Sequence, residues 1–136
     1  VNKTNSAFAP VQQAVTQHLS TDEELMSKVS GVFDGVPENE AFPFVAVGGI
    51  TSSPFRTFSR FGEEVTLTLH IWSDAQGFSE ANEILEDLNR LLADRNLDVD
   101  GYGTASCRYV AGEAEIDPET PHRKILVDYQ LLVQAT

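Results

Sequence analysis

The residue types able to do chemistry are few in this chain and poorly spaced for it. His18, His70 and His122 lie far apart, and none has a cysteine or carboxylate at the spacing by which a zinc site gathers its ligands. Asn96, Asp98 and Asp100 alternate ahead of Gly101, as in the first half of a calcium loop. The position where that loop needs its bidentate Glu is Cys107, a poor ligand for a hard cation. Asp100-Gly101 reads more simply as a tight turn between two strands. Gly48-Gly49 has no following Lys and Ser or Thr to make a phosphate cradle, and no serine sits in a nucleophile elbow. Glu80, Glu83 and Asp87 share a helix face and form a solvated surface rather than a metal site. Cys107, the one cysteine, has no partner for an internal disulfide and reads as an inert strand residue, which suits folding in the cytosol. The sequence therefore predicts no enzyme, no cofactor and no metal.

The elements that would position any site are clearer. Val65, Leu67, Leu69 and Ile71 alternate with Thr66, Thr68, His70 and Trp72, the period of a strand with one face in a core. After the break at Ser73 to Gly77 the spacing changes to Ala81, Ile84, Leu85, Leu88, Leu91 and Leu92, one stripe of a helix whose other side is Glu80, Glu83, Glu86, Asp87, Arg90 and Asp94. Each large aliphatic buried stabilises the fold by about 1.5–3 kcal/mol, so this helix on this strand is the expected core.

With 136 residues and 41% hydrophobic content the chain is predicted to fold as a single domain spanning residues 1–136 without metal or disulfide staples. No apolar run is long enough to span a membrane, and the first ten residues lack the apolar centre of a signal peptide, which predicts a soluble chain not exported by that route and no membrane partner. Twenty-one acidic residues against nine basic ones leave a net charge of −12. Such a surface repels phosphate backbones, which excludes specific nucleic-acid binding as a primary role.

Along the chain, residues 1–9 lack periodicity and read as a flexible arm. Pro10 opens a helix with the stripe Val11, Ala14, Val15, His18 and Leu19. Ser20-Thr21-Asp22 ahead of Glu23-Glu24 signals a second, short helix running through Val29 and ending near Gly31. Residues 32–36 and 42–47 read as strands, Pro43 placing the start of the latter at an edge or at the first residue. Residues 48–62 then read as a long loop carrying Phe55, Arg56, Phe58, Arg60 and Phe61. Aromatic residues with Arg are the composition enriched at protein interfaces, so these five are the candidate contacts with other copies or partners. The alternative is that two of the rings fold back on the sheet at a hairpin tip. Residues 111–124 read as an exposed acidic loop broken by prolines. In the closing strand Ile125, Val127, Tyr129, Leu131 and Val133 alternate with a partly apolar second face, which predicts cover from both sides. The fold class is α+β: a mainly antiparallel sheet, a mixed one being allowed, of four to five strands, with two or three helices on one face.

The order of these segments resembles the tail completion, or tail terminator, family of long-tailed bacteriophages. The residues that carry the resemblance are Val36-Pro37 with Phe42-Pro43-Phe44-Val45, and His70-Ile71-Trp72-Ser73 followed by Gly77 and Glu80-Ala81. It extends over nearly the whole chain, from Pro10 to Ala135. The resemblance implies a structural virion protein at the head-proximal end of the tail, assembled in the host cytoplasm. It implies a homo-hexameric ring that stops growth of the tail tube protein, faces the head-closure or neck protein, and lets DNA pass. Two alternatives stand beside it: another neck or head-closure ring component, and a small acidic ligand-binding domain or enzyme with a pocket under residues 48–62.

Overall fold

A computed structural model describes residues 7–56 and 61–134. The chain runs α1 (Phe8–Ser20), α2 (Glu23–Met26), β1 (Val32–Phe33), β2 (Phe44–Arg56), β3 (Phe61–Ser73), α3 (Ser79–Leu92), β4 (Arg95–Val99), β5 (Gly103–Ile116) and β6 (Arg123–Gln134). The strands form one sheet in the order β1-β2-β3-β6-β5-β4, antiparallel throughout except that β1 runs parallel to β2. The α+β class stands, with six strands among the described residues in a mixed sheet rather than four to five.

The core lies where the two strongest periodicities put it. Val65, Leu67, Leu69 and Ile71 of β3 are fully buried, and the register sets Leu67 opposite Tyr129, Leu69 opposite Val127 and Ile71 opposite Ile125. Over this face lie Ala81, Ile84, Leu88 and Leu92 of α3 and Val11, Val15 and Leu19 of α1, all fully buried. The helices pack on this face alone among the described residues. Leu126 is half-buried and Leu132 is 41% exposed on the other face, so the expected cover of β6 from both sides is absent there.

Polar contacts fix the helices at their ends. Asp22 caps α2, its Oδ2 accepting from the Leu25 amide at 2.9 Å. α2 is only one turn, shorter than the expected run through Val29. α1 has no side-chain cap of its own. Instead the Ala7 amide donates to Glu63 Oε2 at 3.1 Å, and Glu63, on the core side of β3, is only 7% exposed. A carboxylate at the positive end of a helix is favourable there. Ala7 is itself buried and α1 begins at Phe8, so the expected arm does not extend to residues 7–9; residues 1–6 lie outside the described residues. Tyr129 Oη donates to Asn89 Oδ1 at 2.6 Å, tying α3 to a central strand.

Two segments expected as loops are strands. β2 continues through residues 48–56 to pair with β3, and β5 continues to Ile116, leaving a connection of residues 117–122. Both extensions contain a register shift, at Gly48 and at Val110. Gly48 is required by its neighbour: a Cβ there would stand 2.3 Å from His70 Nε2, because the imidazole lies across the bulged backbone. Gly101, at φ 83°, supplies the left-handed residue of the expected β4–β5 turn.

Candidate functional site

Of the five residues predicted as contacts, Phe55, Arg56 and Phe61 fall at the far end of a long hairpin. Phe55 and Arg56 end β2 and Phe61 begins β3, with Phe55 opposite Gly62 and Arg56 opposite Phe61. For these three the structure gives the backbone; Phe58 and Arg60 lie outside the described residues. Residues 48–56 and 61–62 of this segment are paired strands instead of the expected loop.

The opposite end of the sheet carries an aromatic and cationic cluster that the sequence does not announce. Its members come from five separate segments, and the register alone collects them: Phe44 stands opposite Trp72 and Trp72 opposite Lys124. Phe42 precedes a cis Pro43 and packs 5.1 Å from Phe44, centroid to centroid, while Phe33 of β1 meets Phe44 edge-on at 6.1 Å. His122, from the β5–β6 connection, stacks on Phe42 at 4.4 Å. Lys124 Nζ lies 4.9 Å above the Trp72 ring and 3.1 Å from Glu115, and the Arg123 guanidinium lies over Phe78 at 5.4 Å and donates to the Gln76 carbonyl. The connection is held by its own bonds: the Asp117 amide donates to the His122 carbonyl at 2.9 Å, and Thr120 donates to Asp117 Oδ2 through both its amide and its hydroxyl.

Between these ends, the sheet face away from the helices is polar. Thr68 Oγ1 donates to Asp128 Oδ1 at 2.6 Å, and Arg108 donates to Gln130 Oε1. A cavity of about 320 Å³ on this face is lined by Thr68, Ala111, Gly112, Glu113, Leu126 and Asp128. Burial, reinforced by Lys124, lowers the His70 pKa, which favours the neutral ring against Gly48.

Several of the residues weighed for catalysis or metal binding have structural partners. His18 donates to the Leu91 carbonyl at 3.0 Å. Asn96 and Asp98 lie along β4 instead of in a loop, and Asp98 accepts from Thr104. Glu80 accepts from Ser73. Asp87, expected on a solvated face, is 4% exposed and pairs with Lys28 at 2.9 Å and Arg90 at 3.3 Å. The same guanidinium reaches Asp22 at 2.7 Å and Glu24 at 3.0 Å, and its hydrogen bonds hold the Asp22 carboxyl below its ordinary pKa. Cys107 is buried, which pushes its pKa up to about 12 and leaves it a thiol. Among the described residues no group of three or more His, Cys, Asp or Glu could hold a metal ion, and no helix is long and apolar enough to cross a membrane.

Comparison with known proteins adds an independent observation. The family described as tail completion protein gp17 matches residues 13–134. The tail completion protein gp17 of Bacillus phage SPP1 is 27% identical over 127 residues, covering 92% of this chain and 94% of that one. The solved structure of bacteriophage SPP1 gp17 superposes with a TM-score of 0.64 at 25% identity, over 92% of this chain and 88% of that one. A chain in the virion of a native gene transfer agent particle superposes more closely, with a TM-score of 0.88 over 96% and 98% of the two chains, at 20% identity.

Proposed function

Because the chain belongs to the gp17 tail completion family, we propose that it is a structural component of a phage or prophage virion, a subunit of a homo-hexameric ring at the head-proximal end of the tail. The ring ends growth of the tail tube and presents its far side to the head-closure proteins. The family match over residues 13–134 carries this reading, and the geometry supports it. A part joining two others needs two contact regions, and we assign one to each end of strands thirteen residues long: the end that Phe55, Arg56 and Phe61 mark, taken with Phe58 and Arg60 from the sequence, and the cluster around Phe42, Trp72, His122 and Lys124. Strands of that length reach about 40 Å.

The mechanism is geometric. Identical head-to-tail contacts close a ring, and a ring of matching symmetry caps a tube without any chemical step. The carboxylates of Glu113, Glu115 and Asp128 on the polar sheet face, within a chain of net charge −12, let DNA pass without adhering. No cofactor enters. The test is deletion of the gene followed by electron microscopy of the particles. Heads separated from tails of uncontrolled length, restored by the gene in trans, are expected. Normal tails joined to heads would refute the reading. Co-purification with empty tail tubes supports a terminator, whereas co-purification with portal-bearing heads alone points to a head-closure component.

A further inference from the structure

Among the described residues, the outer two of the four long strands, β2 and β5, are each open along most of their length. Arg95, where β4 starts, stands opposite Cys107, so β5 has no strand neighbour over residues 108–116. On the other side β1 covers only Val45 and Ala46, so β2 has no strand neighbour on that side over residues 47–56. Residues 108–114 and 51–54 are all exposed, as are the large side chains of Tyr109, Val110 and Ile116. A free edge of this length is a template for another strand. Through the ladder β2 and β5 run in opposite directions, so copies set side by side in one orientation bring β5 of one against β2 of the next as an antiparallel pair.

We propose that neighbouring copies join by strand addition, residues 111–116 of one copy pairing with residues 50–55 of the next. This rests on the ring reading above and names the surface by which the ring closes. The fold sets the register. Ser52, Val65, Leu131, Cys107 and Arg95 lie level across the sheet, so a neighbour at equal height would drive its residues 52–56 into β4. Clearing β4 requires a slide of about five residues, and matching the faces of alternating side chains requires an even number. A slide of six meets both conditions and also clears β1. It uses the regular runs between the bulges at Gly48 and Val110.

In that register Ile50 meets Ile116 on the helix side, and the hydroxyls of Thr51 and Ser53 meet the carboxylates of Glu115 and Glu113 on the polar side. Pro54, which has no amide to donate, opposes Gly112. Residues 44–55 bear no charge, so the acidic edge meets no repulsion there. Pairing β5 with β5 would instead set Glu113 and Glu115 against their own copies. A slide of about 20 Å for every four strands, about 19 Å of sheet, tilts the strands by about 45°, near the tilt at which sheets close into barrels. Repeated pairing therefore curls rather than extending flat.

The test is a chain carrying Ser53→Cys and Glu113→Cys, oxidised mildly and run on a non-reducing gel, with light scattering of the reduced protein alongside. Both positions are exposed, and the buried Cys107 stays silent. A ladder of covalent multimers from the double variant, with neither single variant giving one, is the expected result. A charge placed by Ser53→Glu weakens association by up to about five-fold per contact, and adding Glu113→Lys restores it. Self-association without a ladder overturns strand addition and leaves the ring reading standing. A covalent dimer from Glu113→Cys alone overturns it in favour of β5 pairing with itself. A monomer at every concentration, with tail tubes added as well, overturns both.

Discussion

Replacing Tyr129 by Phe tests whether the helix layer is held to the sheet by one directed bond as well as by packing. Tyr129 is fully buried and its hydroxyl donates to Asn89 Oδ1 at 2.6 Å. The change keeps the ring, its edge contact with Tyr109 at 6.0 Å and the packing volume, so no cavity opens. What is lost is the net value of one hydrogen bond, about 0.5–1.5 kcal/mol. Asn89 is only half-buried and water can reach it, which places the cost toward the lower end. For a chain of this length that corresponds to a fall in Tm of about 2–5 °C. Urea denaturation followed by the fluorescence of Trp72, the only tryptophan, measures it, and a double-mutant cycle with Asn89→Ala isolates the pair.

The same residue makes an alkaline prediction. Burial raises the Tyr129 pKa, so the unfolded chain releases this proton before the folded one does. Its contribution is complete below about pH 10 and is lost as pH rises above that. Tyr129→Phe should flatten the alkaline decline without abolishing it, because Cys107 is shifted in the same direction from 9.0 to about 12. An unchanged midpoint together with an unchanged alkaline slope would refute the assignment of this bond.

Gly48→Ala should destabilise by about 1 kcal/mol in thermal melts, because the new Cβ meets the His70 ring, and His70→Ser should recover most of the loss. The lowered His70 pKa adds an acid-side effect: its stability is complete above about pH 6.5 and falls as the unfolded histidine protonates below it, and His70→Gln should remove that component from a pH series of melts. Glu63→Gln keeps an acceptor for the Ala7 amide but removes the charge at the start of α1, for a loss of about 0.5–1 kcal/mol by urea titration. Cys107 should resist a thiol reagent in the native protein and react at once in denaturant.

What was legible in the sequence was what burial dictates strongly. β3, β6 and α3 each bury one face, and their periods of two and three-to-four name the core residues almost without error. The extensions of β2 and β5 were hidden because Gly48-Gly49, Ser52-Ser53-Pro54 and Ala111-Gly112-Glu113 are poor strand formers. They sit where a strand is paired on one side and exposed, so composition is weakly constrained. β1 was legible as a short strand within residues 32–36, but its parallel pairing with residues thirteen positions on lay beyond any local signal. Asp87 looked solvated because its helix face is acidic, and only the tertiary approach of Lys28 buries it. The cluster of Phe33, Phe42, Phe44, Trp72 and His122 was legible as separate aromatics and became a site only through register. Sequence composition pointed to a contact loop carrying Phe55, Arg56, Phe58, Arg60 and Phe61, and Phe58 and Arg60 lie outside the described residues.

The length of the β2–β3 hairpin has a consequence for how such a part can change. Free-energy effects of substitutions more than about 10 Å apart, with no shared neighbours, simply add. The Phe42–His122 stack and the Arg56–Phe61 end of this hairpin are separated by nearly the whole run of two thirteen-residue strands. Remodelling one extremity should therefore leave the energetics of the other untouched, so that under the proposed function one side can be refitted to a new neighbour while the other side is kept.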